Sequence, residues 1–186
     1  MKHTSEITAA YQYVNTRYVF TPDHYPEVLG MTPKQIQLFA LKHAMFHLFK
    51  HVSKLIMFEG INSVPTTNQF FLKDCDVTSN NFIGYKKSLV KMIVNILKIA
   101  EILEISAEEM SVIEPKFCSR SNSLIWSSFG ATVSTELEDI DHTGRVLDIQ
   151  KMREATKEVF ADALYFFEAA NIPIPWEMIS EVMKSK

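Results

Sequence analysis

The chain has 186 residues, 47% hydrophobic and 22% charged, a formal net charge of −3 and two cysteines. That balance excludes a disordered or disulfide-scaffolded protein. The mild acidity excludes a nucleic-acid binder, and the lack of any uncharged apolar run of about 18 residues excludes a membrane span. One domain over residues 1–186 is expected, in the cytoplasm with Cys75 and Cys118 as reduced thiols, since neither belongs to a CxxC pair and residues 1–15 hold no apolar signal stretch.

Residues 4–18 set Ile7, Tyr11, Val14 and Tyr18 at helical spacing. Thr21-Pro22 and Tyr25-Pro26 end that helix, because proline drives the preceding residue out of the helical region. A second helix starts with Thr32 as N-cap and Pro33 in the first helical position, and runs to about Phe58 before Gly60. Residues 60–84, rich in Asn, read as a loop. A third helix over 85–103 is apolar around most of its circumference (Leu89, Met92, Ile93, Ile96, Leu97, Ile99, Ala100, Leu103). Only Lys87, Lys91 and Lys98 form a charged line, which places the helix in a core or an interface. Ser106 and Glu109 form a capping box opening a short helix over 107–113. The Ser/Thr-rich residues 114–145, with isolated Phe117, Leu124, Ile125, Trp126 and Phe129, read as an irregular excursion with room for a hairpin. Loops of that length commonly carry function. A fourth long helix covers 145–170, Pro173 and Pro175 interrupt it, and a short helix follows over 176–183. The predicted fold is all-α, a helical bundle of about four to six helices with a long irregular excursion near 114–145.

Two patterns extend beyond single helices. Residues 99–105 (IAEILEI) and 166–172 (FFEAANI) echo each other, each at a helix end before a break and a Glu-Met pair; two similar helical hairpins or coincidence both account for this. Residues 1–100 carry eleven Lys+Arg against six Asp+Glu, whereas 101–186 carry eight against sixteen. The halves either attract one another, within a chain or across a dimer, or are simply two solvated surfaces.

Candidate chemistry sits on two helices. His43, His47 and His51 recur every four residues and share a flank with Lys50 and Lys54. The main apolar face (Leu38, Leu41, Met45, Leu48, Val52, Leu55, Ile56) lies roughly opposite, yet Phe39, Phe46 and Met57 border the basic flank, which points it at a cavity, another helix or a partner. Imidazoles at i and i+4 can hold a transition metal, but the neighbouring lysines repel one. The flank suits a phosphate or carboxylate, or hydrogen bonds to acids of a neighbouring helix. On the fourth long helix Glu154, Glu158 and Asp162 fall at i, i+4 and i+8, opposite Met152, Val159, Ala163, Phe166 and Phe167. They are either magnesium-binding carboxylates or the wet side of an amphipathic helix. Asp139, Asp141 and His142 before Gly144 form a polar turn, either a metal cluster or a helix cap. No P-loop, GxGxxG, HExxH or GxSxG is present.

Residues 89–110 (LVKMIVNILKIAEILEISAEEM), an apolar helix followed by a short break and an acidic helix start, resemble the second motif region of the all-α nucleoside triphosphate pyrophosphohydrolases, the MazG-like family. Residues 41–55 stand where that family has its first metal-binding helix, so the resemblance covers residues 32–113. The family holds magnesium with an EExxE-type motif on the first helix and ExxD on the second; this chain has His43, His47, Lys50 and Lys54 on the first, and Ser88 and Lys91 at the ExxD positions. The resemblance implies a nucleotide pyrophosphohydrolase-related or nucleotide-binding protein, with or without remaining catalysis. His43, His47, Lys50, Lys54 and Lys91 would receive phosphates. Glu154, Glu158 and Asp162 would be the catalytic acids, with Glu158 and Asp162 on Mg2+. The alternative expectation is a non-enzymatic helical interaction protein. A homodimer is expected in either case, because the apolar helices exceed what a small monomer hides.

Overall fold

The caps read from the sequence are in place in the computed structural model, which describes residues 3–17, 20–61, 80–115, 122–143, 148–169 and 172–184. After α1 (Thr4–Arg17) and a 3-10 turn at Pro26–Val28, Thr32 opens α2 (Pro33–Ile61). The Gln35 amide donates to Thr32 Oγ1 at 3.4 Å and the Thr32 amide to Gln35 Oε1 at 2.9 Å, so two of the amides left over at a helix start are satisfied reciprocally. Ser106 and Glu109 do the same for α4 (Ala107–Ser111), at 3.2 and 2.9 Å. Asp148 caps α6 (Ile149–Ala169) by accepting from the Lys151 amide at 3.0 Å, so this helix starts at 149 rather than 145.

The echo between residues 99–105 and 166–172 is expressed as a shared hydrogen bond. At the end of α3 (Asn80–Ile102) the Ile105 amide donates to the Ala100 carbonyl at 2.9 Å, and after α6 the Ile172 amide donates to the equivalent Phe167 carbonyl, also at 2.9 Å. The first of these turns has Glu104 in the left-handed region (φ 56) and a second bond from the Glu104 amide to Glu101, the six-to-one, five-to-two closure of a Schellman motif. A short helix follows each turn: α4, and α7 (Trp176–Lys184).

Two expectations are overturned. Residues 122–143 are not an irregular excursion but a helix, α5 (Asn122–Thr143). Trp126, Phe129, Val133 and Leu137, spaced by three, four and four, are all buried, and burying that stripe outweighs the weak helix propensity of the Ser and Thr between them. Asp139, Asp141 and His142 therefore lie in the last turns of α5, not in a polar turn; Gly144 is outside the described residues. Residues 80–84 belong to α3 rather than a loop, while 62–79, most of that predicted loop, and Phe117 lie outside the described residues.

Four long helices form a ring in which α2 packs on α3, α3 on α6, α6 on α5 and α5 back on α2, leaving α2 and α6 on a diagonal. On the other side of α3, α1 and α7 pack on it and on each other, and α4 joins α1 to α6. Every residue from 92 to 100 of α3 is buried. The α2 face of Leu41, Met45, Leu48, Val52 and Leu55 is buried as expected, but Ile56 is 51% exposed. Two glycines allow the α2 contacts: a Cβ on Gly84 would stand 2.5 Å from Phe58 Cζ, and one on Gly130 2.9 Å from Phe49 Cε1. Arg153 binds the Leu103 carbonyl at the end of α3 and Glu109 Oε1 (2.7 Å) in α4, tying α6 to both. The Ser106 amide, and then Arg153, hold the Glu109 carboxyl below its ordinary range. Among the described residues no helix is long and apolar enough to cross a membrane.

Candidate functional site

The basic flank of α2 divides into an inner and an outer part. His43 is half-buried beneath three rings: Phe20 and Tyr25 meet it edge-on with centroids 5.7 and 5.4 Å away, and Phe39 stacks at 6.4 Å. His47 follows one turn later at 4.8 Å, and His51 is 3% exposed in the core. Lys50 and Lys54 are exposed. Of the residues that border the flank in sequence, only Phe39 covers it, together with Phe20 and Tyr25, whereas Phe46 and Met57 are exposed.

Under His43 and His47, α3 contributes Asn95 and Lys98, 1% and 5% exposed, neither of them among the site residues expected from the sequence. Lys98 had been read as part of a charged line; the crowd of helices around α3 buries it. Asn95 donates to the Lys91 carbonyl at 2.7 Å, while its Oδ1 is buried without a hydrogen-bond partner. The signal was the spacing of residues 91, 95 and 98, three polar residues on one face of an otherwise apolar helix. His43, His47, Asn95 and Lys98 line a cavity of about 10 Å³, which accommodates one water-sized group and no phosphate. Of the five predicted phosphate contacts, His43 and His47 therefore reach this closed space, Lys91 is half-buried on α3, and Lys50 and Lys54 point to solvent.

Burial, reinforced by repulsion from Lys98, holds the His43 imidazole below its ordinary value near 6.5, with Glu27 pulling weakly the other way. The unfolded chain then takes up this proton more readily than the folded one. Stability is full above about pH 6.5, falls as pH drops below it, and levels off once the folded imidazole is also protonated. Melting temperatures across this range should fall less steeply for His43→Gln than for the wild type. Parallel losses in the two proteins would assign the acid sensitivity to other groups.

The acidic stripe of α6 meets three different environments. Glu154 accepts from Gln150 Nε2 and from Lys157 Nζ, both at 2.7 Å. Glu158 is half-buried, and Asp162 is 2% exposed, so the stripe is not a wet face along its length. The three side chains lie on α6, the helix diagonal to α2 in the ring. Among the described residues no group of three or more His, Cys, Asp or Glu is arranged to hold a metal ion. Ion pairs Lys151–Glu136, Arg153–Glu109 and Lys157–Glu154 join residues within the acidic half of the chain.

The outer surface of α2 is apolar as well as basic. Phe46 is 76% exposed, Ile56 and Met57 51% each and Phe49 38%, all along one side of the helix and flanked by Lys50 and Lys54. No protein-family model, curated protein or solved structure matches this chain.

Proposed function

We propose that this chain is a non-enzymatic helical interaction protein that works as a homodimer, joined through the layer formed by α2 and α5. The observation that carries this reading is the exposed row Phe46, Phe49, Ile56 and Met57, since large apolar side chains grouped on one surface mark contact sites. Charge favours a second copy as the occupant. Lys50 and Lys54 flank the row on α2, while the acidic Glu138 stands exposed near the end of the adjacent α5. A twofold axis through this layer sets α2 of each copy over α5 of the other, basic against acidic, with the same patch used twice.

A magnesium-dependent nucleotide hydrolase is less well supported. Such chemistry needs carboxylates converging on one cation, whereas Glu154 is engaged by Gln150 and Lys157 and Asp162 is sunk in the helix packing. Nor does the cavity under His43 and His47 admit a phosphate.

Sedimentation equilibrium at micromolar concentration tests the proposal. The wild type should run at twice 21.4 kDa, and Phe46→Glu, a charge placed in the middle of the contact, should weaken association by about thirtyfold or more. Since Phe46 is exposed in the single chain, the variant should melt as the wild type does when both are diluted to monomer. A wild type that stays at 21.4 kDa throughout sinks the reading.

A further inference from the structure

We propose that the segment 20–31, between α1 and α2, is an acid-released strap, which lifts the rings of Phe20 and Tyr25 off α2 when His43 takes up a proton. The segment is built to move as a unit. Its amides at 24, 25, 28, 29 and 31 donate to carbonyls within the segment itself, at 2.8–3.1 Å. Thr21 Oγ1 also meets His24 Nδ1 at 3.2 Å. Lifting the segment breaks none of these bonds. Its hold on the molecule is apolar: Val28 is buried, and the Phe20 and Tyr25 rings, 4.8 Å apart, contact Phe39 at 5.7 and 5.9 Å. Burying that surface keeps the strap down at neutral pH. Just before Thr32 caps α2, Gly30 sits at φ 79, in the left-handed region that glycine enters readily, and provides the hinge.

Beneath the rings a charged imidazole is poorly hydrated. The space that His43 shares with His47, Asn95 and Lys98 is about 10 Å³, enough for one water. Among the described residues, Lys98 faces the imidazole from α3 and repels a proton there, and His47 stands 4.8 Å away on α2 itself. From the strap, Glu27 attracts the proton and Tyr25 supplies its ring. Burial and then Lys98 prevail, and the closed imidazole is held below its ordinary value near 6.5. Lifting the rings admits water and brings it back toward that value. The open form therefore binds the proton more tightly than the closed one. As pH falls below about 6.5 the open fraction rises, by up to about tenfold per pH unit, and it levels off once the closed imidazole is protonated as well. A histidine covered in this way responds to mild acidification. None of these rings belongs to the exposed row of α2, so the strap stands or falls independently of the dimer.

Relaxation-dispersion NMR on the full chain tests the proposal, because it reads the open fraction from exchange at the Phe20 and Tyr25 rings. Between about pH 7.5 and about pH 5.5 that fraction should rise in the wild type. The Tyr85 and Phe166 rings, in contact at 5.7 Å between α3 and α6, should show no matching exchange. His43→Gln should hold the open fraction flat across the range. Glu27→Gln, at an exposed position, removes a carboxylate that steadies the closed imidazolium, so at the acid end it should open more than the wild type. The proposal is overturned if the wild-type fraction does not change with pH, or if Glu27→Gln opens no more than the wild type. It is overturned as well if His43→Gln shows the same rise, which would assign the response to His24 or another group. Exchange of Tyr85 and Phe166 with the same populations would also overturn it, by showing that the whole chain unfolds.

Discussion

Trp126→Ala should cost about 3–5 kcal/mol of unfolding free energy in urea titrations, the largest loss expected from any single substitution in this chain. The indole is 0% exposed on α5, which packs against both α2 and α6. Truncation removes the transfer free energy of a large side chain and leaves a void that three helices cannot close without shifting. A second substitution separates volume from polarity. The Trp126 Nε1 is buried without a hydrogen-bond partner, so Trp126→Phe removes an unsatisfied donor together with part of the ring system. Phe should therefore retain most of the stability, losing less than about 1.5 kcal/mol. If Trp126→Ala costs under 1 kcal/mol, roughly what a surface change does, α5 is not part of the ring.

Leu48→Ala and Ile96→Ala should each cost about 2–5 kcal/mol. Both side chains are 0% exposed, one on α2 and the other on α3, the two helices that share the most extensive packing in the molecule. The exposed α2 residue Lys50 is the internal control: Lys50→Met should stay within about 0.5 kcal/mol of the wild type in dilute solution. A loss below about half a kilocalorie at both Leu48 and Ile96 would place the core elsewhere.

The helices that were legible in the sequence carry their own start signals. Thr32-Pro33 and the Ser106/Glu109 box are local chemistry, complete within four residues, and each forms the bonds its sequence specifies. For α5 no such signal was read, and a high Ser and Thr content obscured a stripe that a count at three- and four-residue spacing does find: Trp126, Phe129, Val133, Leu137. Burial failed in both directions where it depends on which helices are neighbours. Ile56 was placed on the apolar face by its helical angle, but the packing ends short of it. Asp162, expected as either a magnesium ligand or part of a wet face, and Lys98, part of a charged line, are both buried. The reason is that α6 is covered by α3, α4 and α5, and α3 by four helices, so their buried arcs are wider than one amphipathic stripe. The candidate site suffered most. Residues 43 and 154 can be read as complementary from their chemistry, yet only the order of packing shows that their helices sit on a diagonal. Asn95 carries a sequence signal in its spacing from Lys91 and Lys98, but only the packing of α2 over it shows that it lines the space under His43 and His47.

The position of α3 has a consequence for how the molecule opens. Its residues 92–100 are covered from all sides by α1, α2, α6 and α7, and the first two lie on opposite flanks of it from α6 and α7 in sequence. When any one of these helices frays or detaches, the remaining three still shield the α3 amides from water. Exchange of those amide protons with solvent must therefore wait for complete unfolding, and their protection measures the global free energy, whereas α1 and α7, covered on fewer sides, can exchange through partial openings. The centre of this protein is thus a single cooperative unit on which the peripheral helices ride as separable layers.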